Sequence, residues 1–234
     1  MTIVLVFLGL AGAFGAWWLW RQGLASKPWL EQGVIGDAAG MDAPSPLAAK
    51  VGLGFFLVVA GSLFTLSISA YSMRLQGADW WPLPVPALLW LNTGLLIASS
   101  FALEWAKAFA RRADIRQVRA GLFAGGIFAA AFLAGQLLAW RELYADGYFL
   151  ASNPANSFFY LMTGLHGLHV LGGLVALGRT ITHAQRTLDA RKVRLGVELC
   201  AIYWHFLLLV WLVLFALLTG WAGDVFEICR QALT

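Results

Sequence analysis

The sequence predicts an all-α integral membrane protein, a bundle of six transmembrane helices. Of its 234 residues 60% are hydrophobic and only 12% charged, and the mean hydropathy is +0.74. That balance is too apolar for a water-soluble domain. The apolar residues gather into six runs, 3–20, 51–73, 84–108, 120–140, 156–178 and 196–221, each close to the roughly 20 residues a helix needs to cross hydrocarbon. The runs are continuous and do not alternate, so the spanning element is a helix, whose backbone groups are paired within the segment.

The first run has no basic stretch before it and ends at Trp17, Trp18 and Trp20, followed by Arg21. Aromatic rings with a positive flank read as an interfacial anchor, not as a cleavage site, so residues 1–22 are read as a retained helix. Residues 23–49 carry Gly33, Gly36, Gly40, Pro44 and Pro46 with charges of both signs, and read as a linker. Runs two to six form a five-helix unit over 50–222, and 223–234 is a short outer tail. Short connections between these runs suit antiparallel neighbours in one bundle. Trp80, Trp81 and Pro82 mark the outer interface ahead of run three.

Of the 16 Lys and Arg residues, all but Arg74, Arg141 and Arg230 fall in the loops after runs one, three and five. The asymmetry predicts those loops on the inner side and both termini outside. It also accounts for the net charge of +4, leaving no compact basic face for nucleic acid. Cys200 and Cys229 lie near opposite ends of run six, too far apart for a disulfide.

The informative residues are the polar ones inside the runs. His166 and His169 are three apart and share a helical face. Counting from Asn156, His166 is about 15 Å deep, and His205, counted from Leu195 on the opposite side, is about as deep. The three imidazoles therefore approach one level, with Glu198 about two turns before His205. Ionisable groups at that depth are costly and mark a functional site by default. One reading is a metal or haem site, since neutral imidazole is a common ligand. The other is an interhelical hydrogen-bond cluster, favoured by Gly164, Gly167, Gly172 and Gly173, which would bring helices too close for a macrocycle. Asn92 and Gln136 read as interhelical hydrogen-bond partners, and Glu104 with Lys107 as a surface pair. No chain of acids crosses the membrane, which argues against proton pumping by this chain alone.

YLMTGLHGLHVLGGLVAL at 160–177 and VELCAIYWHFLLLVWLVLF at 197–215 resemble the last two helices of subunit III of the haem-copper respiratory oxidases. LWLNTGLLIASSFALEWA, GLFAGGIFAAAFLAGQLLAW and KVGLGFFLVVAGSLF follow other helices of that family in order, and the likeness covers roughly residues 50–221. The resemblance implies a non-catalytic accessory subunit of a bacterial terminal oxidase in the inner membrane, beside core subunit I and subunit II. Haem and copper would reside in those partners and none in this chain, with bound phospholipid and a role in protecting turnover and assisting proton entry. The matching positions are Asn92, Gln136, His166, His169, Glu198, Trp204, His205 and Trp211.

The departures from the family pattern are Ala60 and Ala139, where glutamates are usual, and Leu208, where an aspartate is usual. Three missing acids argue against the proton-assisting role and leave the packing role. They also make an accessory subunit of a nitric oxide reductase system the second reading. A b-type haem membrane protein and a transporter with a midplane polar site are readings of other classes.

Overall fold

The computed structural model describes residues 46–220 except 76, 78, 82, 188 and 189. The helix expected over 1–22, nearly all of the linker, Cys229 and the outer tail lie outside the described residues. Among those described, every regular element is a helix: α1 Pro46–Arg74, α2 Leu88–Arg111, α3 Ile115–Ala145, α4 Pro154–Arg186 and α5 Ala190–Leu218. All five contain stretches long and apolar enough to cross a membrane. The protein is a multi-pass, all-α membrane protein.

The chain divides into two units, one ending at Ser69 and the other beginning at Ala70. The first holds the body of α1, which starts at Pro46, inside the stretch read as linker; proline is tolerated in a first turn, where its missing N–H is not needed. Ser62, Thr65 and Ser67 donate to the carbonyls of Val58, Gly61 and Leu63 at 2.8, 2.8 and 2.9 Å. Their hydroxyls are thereby satisfied within the helix, as lipid requires.

The second unit is a ring of four helices in which α2 packs on α3, α3 on α4, α4 on α5 and α5 back on α2, with α3 and α5 touching across the middle. Pro84 and Pro86 hold the chain out of helix, so α2 starts at Leu88 although the apolar run begins at 84. Ala113, with a φ of 58°, reverses the chain after α2. Asp114 then caps α3 by accepting from the N–H groups of Arg116 and Gln117. Asn153 caps α4 in the same way through Ala155 N–H, and its amide donates to Trp81 O at 2.5 Å, pinning the preceding loop to the start of α4.

Small residues close the seam between α2 and α3. At Gly121 any Cβ would come within 2.8 Å of Ala102 O and Ala106 Cβ, so the backbones touch only because there is none. Ser99 Oγ donates across the same seam to Gly125 O at 2.7 Å. Between α3 and α4, Trp140 Nε1 donates to Thr163 Oγ1 at 3.1 Å. Arg119 covers the end of α4, its Nε donating to Ala184 O at 2.9 Å and Nη2 to Gln185 O and Thr187 O at 3.3 and 3.0 Å. A cation on carbonyls left over at a helix C-terminus is favourable both as hydrogen bond and against the helix dipole.

Candidate functional site

The centre of the ring is filled by His166 of α4, Phe132 of α3 and Trp211 of α5, all fully buried. Phe132 meets Trp211 edge-on with centroids 4.8 Å apart, and His166 edge-on at 5.7 Å. The imidazole lies tilted on the indole at 5.1 Å. These are the edge-to-face and offset geometries that ring quadrupoles favour. Trp211 Nε1 donates to Thr93 Oγ1 at 2.9 Å, and Thr93 in turn donates to Leu89 O at 2.8 Å. Beside Thr93, Asn92 Nδ2 donates to Gln136 Oε1 at 3.4 Å. The Asn92 carboxamide rests against Gly135, where a Cβ would collide with its Oδ1.

Of the residues singled out from sequence, Asn92, Gln136 and His166 thus line the interior. His169 is half-buried; its Nδ1 donates to Leu165 O at 2.8 Å, and its own carbonyl accepts from Tyr203 Oη at 2.8 Å. Glu198 accepts from Arg194 Nε at 2.9 Å. His205 donates through Nδ1 to Ala201 O at 2.5 Å, and its Nε2 stands 3.8 Å from Glu104 Oε2. Glu104 is also held by Lys107 Nζ at 2.9 and 3.0 Å, the surface pair expected from their spacing.

These polar contacts lead in different directions: His166 into the aromatic centre, His169 and His205 back onto their own helices, Glu198 to Arg194. A three-residue step turns a helix by about 300°, so His169 is offset by about 60° from the inward direction that His166 takes. Among the described residues no three His, Cys, Asp or Glu side chains gather where they could hold a metal ion.

The close packing near the histidines comes from rings more than from glycines. Only at Gly173 of the four glycines would a Cβ meet atoms at 3.0 Å or less, 2.7 Å from the Tyr203 ring and 3.0 Å from the Trp204 ring; Gly172 faces open space. Sequence reasoning missed Thr93, Phe132 and Tyr203. Nothing in a run rich in Phe, Ala and Leu distinguishes Phe132 from its neighbours, whereas Thr93 adjoins Asn92 and could have been read with it. Of the three departures, Ala139 is buried in a cluster with Leu89, Leu143, Phe159 and Phe215. A carboxylate in that setting would be desolvated among hydrocarbon side chains.

A ring of membrane-crossing helices whose buried polar groups join one helix to the next defines a multi-pass membrane protein with a packed centre. The chain belongs to the cytochrome c oxidase subunit III family, which it matches over residues 47–223. It is 33% identical over 177 residues to a cytochrome c oxidase subunit 3 of Thermostichus vulcanus, covering 72% of this chain and 85% of the relative. A probable cytochrome c oxidase subunit 3 of Nocardia farcinica is 33% identical over 148 residues, 61% of this chain and 72% of its own length. The cytochrome c oxidase subunit 3 of a Synechocystis species is 33% identical over 172 residues, covering 71% and 72%.

Proposed function

We propose that this chain is a non-catalytic accessory subunit of a bacterial haem-copper terminal oxidase of the cytochrome c oxidase type, and that it stabilises the core subunit. The observation that carries the reading is where the central polar groups end: Trp211 on Thr93, Asn92 on Gln136, His166 against Phe132 and Trp211. Each joins two or three helices of the same bundle, which is a packing role. Membership in the subunit III family supports the assignment.

In this reading the haem and copper belong to core subunit I and subunit II, and phospholipid is a ligand. The helices lie in the inner membrane, with the loops holding Arg111 and Arg191 inside and both termini outside. In the same reading residues 1–22 add a sixth helix, the linker runs from 23 to the start of α1 at Pro46, and 223–234 form an outer tail. His166, His169, Glu198 and His205, with Asn92 and Gln136, act in cohesion and not in proton transfer. The apolar surroundings of Ala139 favour that restriction, and the missing acids at Ala60, Ala139 and Leu208 keep, as a second reading, the accessory subunit of a nitric oxide reductase system.

Deleting the gene tests both. The haem spectrum of the core subunit is expected to survive deletion, while oxidase activity decays sooner over repeated turnover. Loss of the core haems would count against an accessory role. Nitric oxide reduction, in place of oxygen consumption, by the complex purified through this chain would establish the second reading.

A further inference from the structure

Glu104 of α2 and His205 of α5 stand side by side on the outside of the ring, with 48% and 49% of their side-chain surfaces open. His205 lies within the apolar stretch Val193–Leu218, about 10 Å, or two turns, beyond Glu198. Glu104 is about 10 Å, or two turns, from the end of α2 at Arg111. Lipid tails offer neither hydrogen bonds nor solvation, and ionisable side chains within membrane spans face protein or water. An open imidazole and carboxylate at this depth therefore call for a polar neighbour beyond the bundle.

The chemistry of that neighbour follows from the valences already in use. His205 Nδ1 donates to Ala201 O at 2.5 Å, so the neutral ring keeps its lone pair on Nε2. That atom faces Glu104 Oε2 at 3.8 Å, beyond hydrogen-bonding reach. Lys107 supplies the carboxylate at 2.9 and 3.0 Å, and an ionised carboxylate has further acceptor sites. Two acceptors thus stand side by side on the open face, and a donor seated beside the pair, within reach of both, is what fits them. Around the pair the surface is apolar and exposed: Ile97 and Phe101 lead up to Glu104 along α2, and Leu209 and Leu212 continue the His205 stripe one and two turns further along α5.

We propose that this α2–α5 face docks a transmembrane helix of the partner membrane subunit, and that the helix places a hydrogen-bond donor, a hydroxyl, indole, amide or guanidinium, against the open side of the His205–Glu104 pair. The proposal rests on the accessory-subunit reading and names the surface through which that role is exerted. The exposed side chains interlock with the incoming helix, and the donor sets its register, since a polar pair in hydrocarbon is satisfied at one position only.

The test places a photoreactive benzoylphenylalanine at position 101 or 209 of the full chain in its own membranes, with positions 138 and 168, exposed on α3 and α4, as controls. Positions 101 and 209 are expected to give adducts at least tenfold above the controls, mapped by mass spectrometry to a transmembrane segment of another polypeptide that contains a donor side chain. Glu104→Gln with His205→Phe should speed loss of the chain from the solubilised complex about three- to twenty-fold, the range a membrane hydrogen bond spans. Adducts only to lipid, to a second copy of this chain or to its own residues 1–45 overturn the proposal, as does an unchanged dissociation rate. Capture of a haem-bearing subunit from 138 or 168 instead would place the docking surface elsewhere and leave the accessory reading standing. A donor-bearing helix of a protein outside any oxidase, captured from 101 and 209, would keep the surface and remove the oxidase assignment.

Discussion

Trp211 ties the ring together through one side chain: its ring lies on His166 of α4 and Phe132 of α3, and its N–H reaches Thr93 of α2. Trp211→Phe keeps most of the ring burial and removes the N–H. The expected cost is about 0.6 kcal/mol and at most about 1.7, the measured range for membrane hydrogen bonds, read as a small fall in the temperature at which the chain aggregates or leaves its complex. Trp211→Ala also removes the ring and should cost several-fold more, roughly 3–5 kcal/mol by analogy with soluble cores. Equal losses for the two variants would mean the hydrogen bond, and not the packing, holds the centre. At this scale the sequence was legible where a residue type is out of place: an imidazole or carboxamide in an apolar run is conspicuous. Phe132 was not legible, because a phenylalanine among alanines looks the same whether it faces lipid or the core. His205 was conspicuous too, yet nothing in the chain said that its open side would face outward from the ring.

The helices exceed the apolar runs that announced them. α3 extends from Ile115 to Ala145 around the run 120–140, and α4 from Pro154 to Arg186 around 156–178. Hydropathy marks only the part within hydrocarbon, while the hydrogen-bond ladder runs on until a cap or a proline stops it. Arg119 illustrates the difference. In sequence it counted only toward the positive inner loop; in the fold it covers three carbonyls at the end of α4. Arg119→Met should loosen that end by up to about 1 kcal/mol, the worth of a cation at a helix C-terminus. In inside-out vesicles the connection at 187–189 should then be cut by an added protease up to about fivefold faster, since cleavage follows the population of the opened state. An unchanged rate would mean the guanidinium is dispensable there.

For the whole molecule, charge sets orientation and packing sets the order of the ring. Single cysteines at 115 or 190 should react with an impermeant maleimide only from the inner side, and cysteines added at the two termini only from the outer side. Labelling of 115 or 190 from outside would reverse the proposed orientation, and labelling of the two termini from opposite sides would undo the proposed count of six crossings. Cys200 is buried, and Cys229 is replaced by serine in these variants so that only the introduced thiol reports.

By itself the sequence determined that the chain is helical and membrane-embedded, where five crossings fall, and to which family it belongs. All of these follow from local quantities, namely run length, loop charge and short motifs, that need no knowledge of what touches what. Only the tertiary structure decided that His166 turns inward onto Trp211 while His169 and His205 bond back to their own helices, that Gly173 and not Gly172 admits a neighbouring ring, and that Glu104 and His205 share one open face. Those outcomes depend on the rotation of each helix about its own axis. That rotation is set by the sum of many side-chain contacts around the ring, and in lipid, where hydrocarbon is as apolar as leucine, periodicity carries little information about it.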